Sequence, residues 1–159
     1  MNRAVKIISI VAVLAFFVVL GRSCYQVLCI SCTPAPIKTY NYSGTMDQFD
    51  EKIRQFAAIN PGVNLTISSR DSTIRYSAKD INIKVKSRSN NVRYELVLYD
   101  FNGSTKLDLE GIYDETHNTG GTNMKDKDVE KLYNGFKTNF LPQLSKSQGI
   151  VLKIDWFNF

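Results

Sequence analysis

The sequence predicts an α+β domain of two layers. One antiparallel sheet of about six or seven strands carries two amphipathic helices on one face, in the order β-α-β-β-β-β-β-α-β. Three observations lead there. Apolar and polar residues alternate through most of 63–109, which marks strands with one buried and one solvated face. Two other segments repeat apolar residues at helical spacing. Asn102-Gly103 is a hairpin signal, because a type I′ turn needs positive φ at both central residues.

The elements follow in order. "IKTYNYS" from Ile37 is the first strand, with Tyr40 and Tyr42 on one face. Thr45 to Gln48 fits a capping box, and Met46, Phe49, Ile53, Phe56 and Ala57 form the stripe of the first helix. Asn60-Pro61-Gly62 ends it. Five alternating segments come next: Val63–Ser68, Ile74–Ala78, Ile81–Lys86, Val92–Leu98 and Thr105–Leu109. Asp114 to Met124 reads as a polar, Gly-rich loop. From about Asp126 a second helix holds Val129, Leu132, Tyr133, Phe136, Phe140 and Leu144 in register, and Pro142 should end or kink it near Leu141. Ile150, Leu152, Ile154 and Trp156 share one face of a last strand. A curved sheet wrapped around the long C-terminal helix, a helix-grip arrangement, is one form this order can take, and by itself it implies no function.

Charge and cysteine placement speak to compartment. The formal net charge is +5, but Arg3, Lys6 and Arg22 lie in or beside the apolar N-terminus. From Cys24 onward the remaining 17 basic residues face all 15 acidic ones, so no nucleic-acid partner is expected. Ile7 to Leu20, "IISIVAVLAFFVVL", would be about 21 Å long as a helix, short of the roughly 30 Å hydrocarbon core. A basic start, a short apolar run and small residues after it describe an export signal, residues 1–23; an uncleaved signal anchor is the alternative. All three cysteines lie between this run and Thr33-Pro34-Ala35-Pro36, an extended spacer.

"LGRSC", Leu20 to Cys24, resembles the acceptor box of bacterial lipoprotein signal peptides, in which a Cys shortly after the apolar run is acylated and becomes the first mature residue. Ser23 fits that family's small residue before the Cys, while Gly21 stands where it usually has Leu. The resemblance implies lipidation of Cys24, with Cys29 and Cys32 as more distant acceptors. It implies a protein anchored by its acyl chains to the inner or outer membrane, with the domain in the periplasm. Residues 24–36 become a tether and 37–159 a single domain. Three is an odd number of cysteines for an exported chain; lipidating Cys24 leaves Cys29 and Cys32 free to close a small disulfide. A eukaryotic secreted protein stays open as well, since Asn41, Asn64 and Asn102 head formal glycosylation triplets.

Candidate chemistry is sparse. Cys29 to Cys32 has the spacing of a thiol redox motif but lacks the βαβ setting in which one works. His117 is the one histidine; Asp114, Glu115, Asp126 and Asp128 are near it in sequence, without the regular ligand series of a Ca²⁺ loop or the His and Cys of a zinc site. Asp108 and Glu110 share a strand face as conceivable paired carboxylates. Arg70, Arg75, Lys79, Lys84, Lys86, Arg88 and Arg93 make a basic stretch that suits anionic lipid or, more simply, acids on neighbouring strands. Val97, Tyr99, Phe101 and Tyr113 put apolar groups on the solvated face, where they mark a partner site or pack beneath the 114–124 loop. "WFNF" resembles in part the terminal signal of outer-membrane barrels and the C-terminal ligands of periplasmic PDZ domains; regular alternation makes it a core strand. The reading that results is an envelope lipoprotein with a binding domain for an envelope protein or component, and with no cofactor, metal site or catalytic set. Its alternatives are a periplasmic thiol oxidoreductase or another enzyme, and a carrier of an apolar ligand.

Overall fold

The structure is a computed structural model that describes residues 35–70, 77–87, 89–101 and 103–155. Cys24, Cys29, Cys32, Arg75, Arg88 and Trp156–Phe159 lie outside the described residues.

The α+β expectation holds. Strand β1 (Lys38–Tyr42) leads to helix α1 (Met46–Ile59), then to β2 (Val63–Arg70), β3 (Ala78–Lys86), β4 (Asn91–Phe101), β5 (Ser104–Asp114) and β6 (Thr119–Gly121). A continuous helical run follows: α2 (Val129–Gly135), a π-helical turn (Phe136–Phe140) and α3 (Leu141–Gln148). Strand β7 (Leu152–Ile154) comes last. The sheet order is β2-β3-β4-β5-β1-β7, antiparallel throughout, and β6 takes the edge of β5 beyond the end of β1.

Two details of the strand series differ from expectation. Ala78 belongs to β3, whose partner β2 runs to Arg70, so Ala78 does not close a separate strand. The 114–124 segment, read as a loop, contains β6, where Gly120 lies opposite Tyr113. Gly120 has φ +114 and a Cβ there would come within 2.1 Å of the Ile112 carbonyl oxygen, so only glycine fits. At the β4–β5 hairpin Phe101 pairs with Ser104 and Gly103 has φ +78, the left-handed geometry a two-residue loop requires.

Helix α1 is held by its sequence at both ends. Thr45 Oγ1 accepts from the Gln48 amide at 3.2 Å and Gln48 Oε1 accepts from the Thr45 amide at 3.1 Å, a complete capping box. Asn60 closes the other end by donating its side-chain amide to the Phe56 carbonyl at 2.8 Å. Met46, Phe49, Ile53 and Phe56 are buried, each contributing about 1.5–3 kcal/mol of transfer energy. They meet Ile81 and Ile83 of β3, Leu96 and Leu98 of β4, and Leu107 and Leu109 of β5 in one core.

Of the two outcomes read for Pro142, an end or a kink, the end does not occur. The turn before it widens instead: the Leu141 N–H donates to the Phe136 carbonyl, an i→i−5 bond, and α3 continues from there. Proline asks for no acceptor, and the wider turn leaves room for its ring. The same widening puts Phe136 and Phe140 one above the other, stacked at 5.3 Å and 19°. Tyr94 of β4 packs against both, at 4.8 and 5.2 Å, and Phe56 of α1 meets Phe140 edge-on at 5.7 Å.

Candidate functional site

Where β3 ends and β4 begins, the sheet runs past the helical layer and leaves a groove of about 480 Å³. Its sheet wall is Val85, Val92 and Tyr94; its helix wall is Leu132, Gly135 and Phe140. Val85 and Val92 lie opposite each other across the ladder, so their side chains share the inner face with Tyr94. Lys131, Asn139 and Gln143 stand exposed along the helical rim. The volume falls within the range of small-molecule sites, about 300–1,000 Å³.

Two residues of the groove stand out. Tyr94 is only 6% exposed and its hydroxyl has no hydrogen-bond partner among the described residues, but that oxygen is not sealed from solvent. Burial pushes that phenol up to about 12, so it stays protonated and offers a donor into an apolar wall. Gly135 has an ordinary helical φ of −60° and a Cβ built there meets nothing within 4 Å. A helix interior gives up about 1 kcal/mol to hold glycine in place of alanine. Neither backbone conformation nor a neighbouring atom requires it here; its effect is to keep the helix wall low.

A second cleft, about 400 Å³, adjoins the first and shares Asn90, Lys131 and Leu132 with it. It holds Asp114 and His117, which the sequence had set together. His117 Nδ1 lies 2.7 Å from Asp114 Oδ2, and Asp114 Oδ1 accepts from the backbone N–H of Thr116 (2.9 Å) and His117 (3.2 Å). Burial alone would raise the Asp114 pKa, but these bonds outweigh it and hold the carboxyl below its usual range. Asp128 lines the same cleft, but Glu115 and Asp126 are engaged elsewhere. Glu115 turns to Lys84 at 2.9 Å, and Asp126 accepts from the Thr122 and Asn123 amides at 3.0 and 2.9 Å. Among the described residues no three metal-ligating side chains converge, and no hydroxyl side chain hydrogen-bonds to His117.

On the opposite face of the sheet, Asp108 and Glu110 do not form a carboxylate pair. A bulge leaves Glu110 as the extra residue of β5, since Glu95 lies opposite Gly111 and Leu96 opposite Leu109. Glu110 meets Arg70 at 3.2 Å. Asp108 accepts from the Thr39 hydroxyl at 2.5 Å and the Tyr99 hydroxyl at 3.1 Å. Burial lifts the Asp108 carboxyl above the usual range; the Thr39 and Tyr99 hydrogen bonds oppose this and the charge of Glu110 adds to it. Tyr99 therefore belongs to a polar cluster, Val97 is buried, Arg93 lies 4.5 Å over the Tyr113 ring, and Tyr113 lies opposite Gly120 of the 114–124 segment.

Among the described residues of the basic stretch, Arg70, Lys79, Lys84 and Arg93 are matched by acids and Lys86 is not. Arg70 lies 3.0 Å from Asp80, Lys79 reaches Asp50 of α1 at 2.8 Å, and Arg93 pairs with Glu95. The Arg93 Nε is also 3.1 Å from Glu115, though not aligned for a hydrogen bond. No helix among the described residues is long and apolar enough to cross a membrane.

The groove was missed in the sequence. Its walls come from residues 85–94 and 132–140, which no spacing relates; the one available signal was a glycine inside a helical pattern. No family model, curated protein or solved structure matches the chain.

Proposed function

We propose that the chain is a cell-envelope lipoprotein, anchored through Cys24 and tethered by residues 24–36, whose domain of residues 37–159 is a binding module that takes its ligand in the Tyr94–Gly135 groove. The anchor rests on the short apolar run, its basic start and the "LGRSC" box. The observation that carries the binding reading is the groove itself, whose wall includes a Tyr94 hydroxyl that no described residue accepts from. A ligand that accepts from it in place of water gains about 0.5–1.5 kcal/mol.

Two measurements test the two halves. Mass spectrometry of the mature N-terminus from membranes should find an acylated Cys24, and Cys24→Ala should lose the label and leave the membrane. An unmodified Cys24 refutes the anchor. For the groove, a neutral alkyl diazirine should crosslink to peptides covering 85–94 or 131–143. Labelling spread evenly over the domain refutes the groove as the binding site.

A further inference from the structure

We infer that the groove binds a monocarboxylate with an extended apolar body, a medium- or long-chain fatty acid. The inference rests on the groove being the binding site and goes on to name what enters it. Val85, Val92, Leu132 and the rings of Tyr94 and Phe140 make the apolar part of the lining, which suits a hydrocarbon body. Among the described residues Lys131 is the one charged residue that lines this groove, and no carboxylate lies within ion-pair distance of it. The charge that complements it is negative.

The neighbouring acids do not supply it. Asp114 is taken up by His117 and two backbone amides, and it lines the adjoining cleft. Asp128 lines that cleft too. A phosphate headgroup is held with most specificity by a bidentate arginine fork, whereas one lysine is a point charge that suffices for a carboxylate. A carboxylate has two acceptor oxygens, and the groove presents an ammonium on α2 and a phenolic donor on β4, on facing walls. Gly135 lies on the helix wall a turn after Lys131, and its missing side chain leaves clear the path along which the chain would run.

The test uses the full chain in bilayer nanodiscs with a diazirine-bearing dodecanoate, mapped by peptide mass spectrometry. The expected adducts fall on peptides covering 85–94 and 131–143. Excess dodecanoate should cut them about tenfold, and excess dodecanol, which partitions into the same bilayer, should not. Lys131→Gln should weaken labelling about tenfold and Tyr94→Phe a few-fold, while Gly135→Trp, which fills the open space, should abolish it. Equal competition by dodecanol overturns the carboxylate and leaves the groove as a general apolar site. Adducts away from the groove overturn both. If Gly135→Trp melts early, unchanged labelling of the exposed Lys131→Gln variant still refutes the inference.

Discussion

Asp108 and Asp114 lie on one strand, on opposite faces of the sheet, and their carboxyls are shifted in opposite directions. For Asp108 burial leads and the folded pKa rises. Its stabilising contribution is then complete below the unfolded value, near 3.9, and is lost as pH climbs through the folded value. At about pH 7 the ionised group is a cost. Asp108→Asn, whose amide can still bond Thr39 and Tyr99, should melt above the native protein at pH 7, with the gain vanishing toward pH 3. Asp114 behaves oppositely: its contribution is present above the unfolded value and is lost as pH falls through the lowered folded one. Asp114→Asn should cost about 1–2 kcal/mol near pH 7, measured by urea unfolding, and the difference should close in acid. Both aspartates could be picked out in the sequence. Their roles could not, because Thr39 and Tyr99 reach Asp108 from other strands and the bulge at Glu110 re-aims everything after it.

At the level of elements, legibility followed the strength of local chemistry. Helix α1 was readable end to end because Thr45 and Gln48 act within one turn and the apolar stripe never breaks. Thr45→Ala should cost about 1 kcal/mol by denaturant midpoint with an unchanged m-value. Strand β6 was unreadable because Thr119-Gly120-Gly121 carries no side-chain alternation; it pairs through backbone alone. The second helix was readable by its stripe but left open between an end and a kink at Pro142, since a sequence shows that proline lacks a donor but not that the preceding turn will widen to absorb it. Phe140→Ala removes a ring packed against Phe136, Tyr94 and Phe56 at once, and should cost about 3–5 kcal/mol. Gly135→Ala should instead stabilise the domain by up to about 1 kcal/mol, since the added methyl meets no neighbour. A loss of stability there would mean the wall is tighter than its geometry indicates.

Across the whole molecule, element order was legible but strand order was not. The meander β2-β3-β4-β5 follows from hairpins, whereas nothing local tells β1 to settle beyond β5. Helix α1 carries the chain across the intervening strands, and its Asp47 and Asp50 meet Lys79 of β3 beneath it. The sheet closes through β7, whose Leu152 and Ile154 lie opposite Tyr42 and Tyr40. That pairing joins the first strand of the domain to its last, which gives the fold a timetable. A ribosome or an export channel delivers residues from the N-terminus onward, and until residue 154 emerges β1 keeps one side without its neighbour. Completion of the sheet therefore waits for the final segment, and an exported chain would finish folding only after the whole domain has crossed the membrane.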